Sequence, residues 1–248
     1  MTTNDRGSAV IDRTSLRLAA TLLLVGQLVY IVITLFHADG KANDHPAVFA
    51  EYAGSGIWKA IHVGQFASAA ILLAGLLALF FVLNLQAGPA QWAGRFGAAA
   101  TVVALALYGV LQAVDGVGNK QVDAAWVGAP HAEKAARFAS AEAMRWLEWG
   151  VRSYLDFALG LALVMFAAAL VLTARLPRPI AYLMGLSGLT YLAQGWVVGA
   201  QGFSATNETL IVVAEALSLA WMIWLALVAW RTSEKQASRS AAKLLGDT

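Results

Sequence analysis

The sequence predicts an all-α membrane fold: a six-transmembrane-helix bundle, both termini cytoplasmic (N-in/C-in), with short helices on the outer face. Three observations predict it. Of 248 residues, 59% are apolar and 13% charged, about half the charged share of a soluble domain. Six apolar runs, near 16–36, 57–86, 95–117, 148–174, 179–201 and 208–230, each hold the roughly 20 residues that cross a hydrocarbon layer. The basic residues are also segregated. With the N-terminus inside, the inner segments carry ten of the 17 Lys and Arg and four of the 15 acids, the asymmetry of the positive-inside rule.

The first run, Leu18 to Phe36, is longer than a signal-peptide core and reads as a retained helix. A polar outer loop, Asp39 to Pro46, follows it. Pro46 then opens a short helix that carries Phe49 and Tyr52 over a pocket mouth. The second run begins with Trp58, Lys59, His62, Gln65 and Phe66 on one helical face. The third ends at Gln112 and Asp115. Residues 124–139 are expected to cover the pocket from the other side, with Trp126 as an interfacial anchor alongside Trp58, Trp92 and Trp230. The second and fourth runs are longer than a membrane requires and project beyond it. In the fifth, Gly185, Gly188, Gly195 and Gly199 form a stripe, and Gly195-x-x-x-Gly199 lets a neighbouring helix come close. The sixth ends at Trp230 and Arg231. Residues 1–231 form one domain, and 232–248 a polar cytoplasmic tail that frays.

Composition excludes several functions. With no Cys there are no disulfides, thiolate metal sites or cysteine nucleophiles. A net charge of +2 gives no case for nucleic acid. His37, His45, His62 and His131 all fall on the outer side, and the inner halves of the helices are almost wholly apolar, so any site opens outward. A metal held by the outer histidines is chemically conceivable, but no His-x-x-x-His spacing supports it. The expectation is no metal and no cofactor.

Depth follows from the helical rise. Glu215 and Gln194 each lie about 24 Å above the basic residue at the inner end of their helix, while Gln112, Asp115, Asp156, Gln65 and His62 lie about 26–36 Å up. Five helices therefore bring polar groups to one layer, with Glu215 below it. A carboxyl group at that depth costs about 2–3 kcal/mol. It is either a proton donor or cation ligand at a pocket floor, or a neutral group bonded to a neighbour such as Gln194. Before the fourth run, Glu142, Arg145, Glu148, Arg152 and Asp156 share one arc with Trp149. Glu148, Arg152 and Asp156 are spaced to touch in turn. That stripe either binds an anionic headgroup, or holds one carboxylate ionised and a neighbour protonated, or is a solvated extension held by surface pairs. Trp196, Trp221 and Trp224 either line an apolar cavity beneath Glu215 or serve packing and lipid contact.

Several pieces together resemble a large, loosely defined family of small six-helix bacterial membrane proteins of unknown function, common in actinobacteria. They are Arg17-Leu-Ala-Ala-Thr-Leu-Leu-Leu-Val-Gly, His45-Pro46, Trp58…His62, Leu176-Pro177-Arg178 and Trp221-Met-Ile-Trp224…Trp230-Arg231. The resemblance covers most of the chain, implies a multi-pass protein of the bacterial inner membrane, and brings no activity with it.

The functional expectation is an enzyme using acid–base chemistry on a lipophilic, isoprenoid- or lipid-like substrate in an outer-leaflet pocket, a membrane terpene cyclase being the concrete version. Its catalytic candidates are Asp115, Asp156, Glu215, Arg152, Glu148 and His62. Its substrate-binding candidates are Gln65, Gln112, Gln194, Trp149, Trp196 and Trp221. The alternatives are an accessory or assembly subunit docking a membrane partner or a second copy, and a proton-coupled transporter of a small molecule or lipid.

Overall fold

In a computed structural model the described residues, 12–37 and 43–246 with side chains as far as Arg231, are helical throughout and include no strand. Of the loop expected at 39–46, residues 39–42 lie outside them and His45 and Pro46 belong to the next helix. Helix α1 spans Arg13–Thr34, α2 His45–Gly54, α3 Trp58–Leu83 and α4 Gly88–Ala113. A π-helical turn, Val114–Asn119, carries α4 into α5, Lys120–Val127. After a 3-10 turn come α6, Lys134–Thr173, α7, Arg178–Gln201, and α8, Ala205–Gly246. Helix α8 runs on past Arg231, and the side chains there lie outside the described residues.

Local chemistry sets these boundaries. The Asp12 side chain accepts from the Thr14 and Ser15 amides and caps α1, satisfying donors that a helix start leaves open. Asp44 does the same for α2 through the Ala47 amide, ahead of Pro46 in the first turn. Asn84 and Ala174 end α3 and α6 in left-handed conformation, and Pro179 sits in the first turn of α7.

Five segments are long and apolar enough to cross a membrane: Arg13–Thr34, Trp58–Leu83, Gly88–Val127, His131–Thr173 and Ala205–Arg231. Helix α7 has the length, with 24 residues, but its Gly, Ser, Thr and Gln dilute its apolar character. The six long helices pack in chain order as a closed ring, α1 on α3, α3 on α4, α4 on α6, α6 on α7, α7 on α8, and α8 back on α1. Short connections make α3 and α4, α6 and α7, and α7 and α8 antiparallel neighbours. At one end Arg17 donates to the Ala229 carbonyl at 3.3 Å and lies over the Trp230 ring. Arg175 bonds the Leu83 carbonyl at the same end. Leu76, Leu79, Phe166, Ile180, Met184, Trp221 and Leu225 fill the ring's interior. Large apolar side chains such as Val32, Val103, Leu161 and Leu189 face outward, as a lipid solvent requires.

Glycine permits the tightest of these contacts. The backbones of α6 and α7 approach so closely that a Cβ on Gly188 would lie 2.7 Å from the Gly160 carbonyl oxygen. Farther along, the Ser153 hydroxyl donates to the Gly195 carbonyl at 2.7 Å. The expected glycine stripe is therefore the α6 contact face.

At the other end α2 lies against α5, and Val48, Phe49, Tyr52, Trp58 and Ala141 make a second small core. Lys120 holds α2 there by donating to the Tyr52, Ala53 and Ser55 carbonyls, each at 2.8 Å. A cation on orphan carbonyls at a helix C-terminus is favourable. Helix α6, with 40 residues, is about 60 Å long, twice the hydrocarbon thickness. Its N-terminal half rises past the bundle to support α2 and α5.

Candidate functional site

Beneath α2 the ring holds two adjoining, partly open chambers. The larger is polar and is walled by His37, Tyr52, Asp115, Arg145, Glu148 and Arg152. The smaller has Leu72, Leu73, Ala104, Leu155 and Leu159 in its wall, with Asp156 and Gln194 on one side. Tyr30, Tyr108, Arg152 and Glu215 line both. The two spaces therefore meet where a cation and a carboxyl group face each other.

Buried polar groups organise the first chamber. Arg145 and Glu148, 3% and 2% exposed, pair at 2.7 Å. Arg145 also donates to the Tyr52 hydroxyl at 3.0 Å and lies over the Phe203 ring. Burial pushes the Tyr52 hydroxyl well above the usual tyrosine range, with the Arg145 charge opposing. Asn119 bridges the two acids, its side-chain amide donating to Asp115 Oδ1 at 3.1 Å and to Glu148 Oε2 at 2.7 Å. The other oxygen of Asp115, Oδ2, faces His62 Nε2 at 3.1 Å and His37 Nε2 at 3.9 Å. The Trp58 ring lies tilted against both histidines and donates its indole N–H to the Asp115 carbonyl at 3.1 Å.

The second set sits a turn or two deeper. Arg152 Nε lies 3.1 Å from both oxygens of Asp156, and Gln194 donates to the same carboxylate at 3.0 Å. Gln194 thus serves Asp156 in place of Glu215. Among the described residues Glu215 has no hydrogen-bond partner, and its electrostatic neighbour is Arg152.

The predicted residues divide accordingly. Asp115, Glu148, Arg152, Asp156, Glu215, Gln65, Gln112 and Gln194 all line one chamber or the other. His62 lies behind the first, against Asp115, and opens on a lateral groove with Gly116 and Phe66. Three tryptophans belong elsewhere. Trp196 is 72% exposed and faces outward, Trp221 is buried in the apolar core, and Trp149 packs against His45 and Gly202. Trp224 is also exposed. The tryptophans therefore form no floor beneath Glu215; Tyr30, Tyr108 and Tyr191 stand there with Leu72, Leu73, Leu155 and Leu159. Trp58, expected in an interfacial belt, is 1% exposed at the heart of the covered end.

The stripe on α6 is likewise resolved into pieces. Glu142 meets His45 at 3.1 Å, Arg145 takes Glu148, and Arg152 takes Asp156. The continuous ladder gives way to separate pairs, and the inner two are buried instead of solvated because α2, α5 and α8 close around them. Three contributors escaped the sequence reading: Asn119, Asp123 and Asn207, all buried. Both carboxyl oxygens of Asp123 and both amide atoms of Asn207 have no hydrogen-bond partner among the described residues. Asp115, Asn119 and Asp123 recur every four residues, a signal that becomes visible once the third run is continued past residue 117.

No family model matches the chain, and neither a curated protein nor a solved structure is significantly similar to it.

Proposed function

We propose that this chain is a membrane-embedded enzyme that carries out acid–base chemistry on an amphiphilic, isoprenoid- or lipid-like molecule. The joined chambers carry the reading. A polar space with fixed cations continues into an aliphatic one, so one molecule can place a polar end against Arg145 and Arg152 and an apolar end among the leucines. Desolvated charges act strongly in such a space. Glu215 is the acid–base group of the proposal. It stands at the junction without a hydrogen bond, whereas Asp156 and Glu148 are committed to arginine and amide partners. Arg152 with Asp156 then supplies fixed charge on the opposite wall. An apolar core fills the ring away from the chambers and gives a transported ion no polar path, which favours an enzyme over a transporter.

In this proposal α7 is the sixth crossing. The termini are cytoplasmic by the positive-inside asymmetry, and the covered end faces outward from a bacterial cell membrane. With no native Cys, an introduced one is unique. Ala132→Cys should react with a membrane-impermeant maleimide on intact cells, and Ala87→Cys only after lysis. The reverse pattern would overturn the orientation.

The function is tested by native mass spectrometry of protein released from mild detergent, with product analysis of membrane lipid extracts incubated with it. An amphiphile should accompany the wild type and be lost from Arg152→Met. Glu215→Gln should keep the amphiphile and lose turnover. Full turnover by Glu215→Gln would remove the acid–base assignment, and a bare chain in every variant would remove the ligand site.

A further inference from the structure

The three groups at the outer wall of the polar chamber come from separate parts of the chain: His37 just after α1, His62 in the second turn of α3, and Asp115 in the π-helical turn. One donor atom from each lies within 4.8 Å of the others. Ligands on a zinc-like ion, bound at about 2.0–2.1 Å, stand about 3.3 Å apart in a tetrahedron. The pair His62 Nε2 and Asp115 Oδ2, at 3.1 Å, already has that spacing. His37 Nε2, at 3.9 Å from the same oxygen and within 4.8 Å of the other donors, needs to move by about 1–2 Å to reach that spacing.

The surroundings are arranged as they are around a metal. His62 directs Nδ1 at the Trp58 carbonyl, 2.8 Å away. An N–H donated there leaves Nε2, buried and without a hydrogen-bond partner, to aim its lone pair at a carboxylate oxygen. Two lone pairs in that position are held together by a proton or by a metal ion between them. A backbone carbonyl on the far nitrogen is the usual device that fixes the tautomer of a metal-binding histidine. Asp115 is prepared in the same way. Oδ1 is occupied by Asn119, which turns Oδ2 toward the two imidazoles. Beside it Glu148 shares the Asn119 amide, so two buried acids stand near a single arginine, and an added positive charge improves that balance.

We propose that His37, His62 and Asp115 bind one divalent transition-metal ion, of the zinc class. Two imidazoles and one carboxylate suit such an ion and leave at least one coordination position free. That position faces the chamber, because His37 and Asp115 both line it. Gly116 makes the site possible: a Cβ there would fall 2.8 Å from the His62 Cβ, so only glycine lets the π-helical turn reach the histidine. The site stands independently of which molecule enters the chambers.

The test uses the full chain in mild detergent, stripped with a chelator and titrated with Zn2+ and, for its spectrum, Co2+. The wild type should bind one ion per chain, and its Co2+ form should show the intense visible absorption of a four- or five-coordinate site. His37→Gln lies outside the helices and should leave the helical circular dichroism intact while weakening binding on the order of 100-fold or more. Asn119→Ala, acting through Asp115, should weaken it by about 10–100-fold. His131→Gln should change nothing. Wild-type binding no tighter than that of His37→Gln, or identical Co2+ spectra for the two, would overturn the proposal and leave His62 and Asp115 joined by a proton.

Discussion

The two ends of the bundle are held together by different physics. Away from α2, the helices meet through Leu76, Phe166, Met184 and Leu225 and through close backbone contact at Gly160 and Gly188. These forces are non-directional, and volume matters more than the identity of any atom. Beneath α2, the contacts are Arg145 with Glu148, Asn119 with two acids, and Lys120 with three carbonyls. Each of these depends on its partner's position, and losing one leaves another unsatisfied in a largely buried place. The apolar end supplies a rigid ring. The polar end spends that rigidity on holding charges apart from solvent, and there the cavity opens.

The largest way to break this contrast is Arg145→Met. It strands Glu148 and the Tyr52 hydroxyl, and should cost about 3–5 kcal/mol in denaturant unfolding, with the double variant Arg145→Met/Glu148→Gln recovering a substantial part. A single-variant loss no larger than that of a surface pair would show the covered end to be wetter than its burial indicates. Next comes Gly188→Ala in the apolar part, where the added methyl presses on the Gly160 carbonyl. Overpacking of this kind should cost about 1–3 kcal/mol, read as a lower melting temperature while the cavity's ligand affinity stays the same.

Lys120→Met sharpens the comparison by acting locally. It should free α2 by about 1.5 kcal/mol, seen as faster amide exchange over residues 45–54 with the membrane-length helices still protected. The smallest effect is at Asp12, outside the apolar segments. Its hydrogen bonds to Ser15 hold the carboxyl below its ordinary value, so its capping contribution is full above the unfolded value and fades as pH falls through the folded one. Acid should therefore loosen the first turn of α1, and Asp12→Asn, which caps without titrating, should remove that pH dependence in exchange measurements.

Much of the fold was legible, for a reason visible in particular elements. A lipid solvent demands long apolar helices, so the runs mark their own positions: 57–86 was expected where α3 spans Trp58–Leu83, and 179–201 where α7 spans Arg178–Gln201. Pro46 announced α2 by a local rule. The polar site residues were legible because polarity inside such runs is conspicuous, as at Gln112, Asp115, Asp156 and Glu215. The tryptophans were not. Trp58 and Trp196 are chemically alike in the sequence, yet one is the covered end's core and the other faces outward, since depth along a helix says nothing about the direction a side chain faces within the ring.

By itself, then, the sequence determined the helical class, the helix positions, the segregation of charge and the layer where polar groups gather, because each follows from composition and spacing along one chain. Tertiary structure alone decided who meets whom. It sent Gln194 to Asp156 and not to Glu215, split the α6 stripe into separate pairs, buried Trp58, and brought His37, His62 and Asp115 within reach of one another. Those outcomes depend on the order and rotation of helices in the ring, which are fixed by contacts between residues distant in the chain and leave no periodic trace in it.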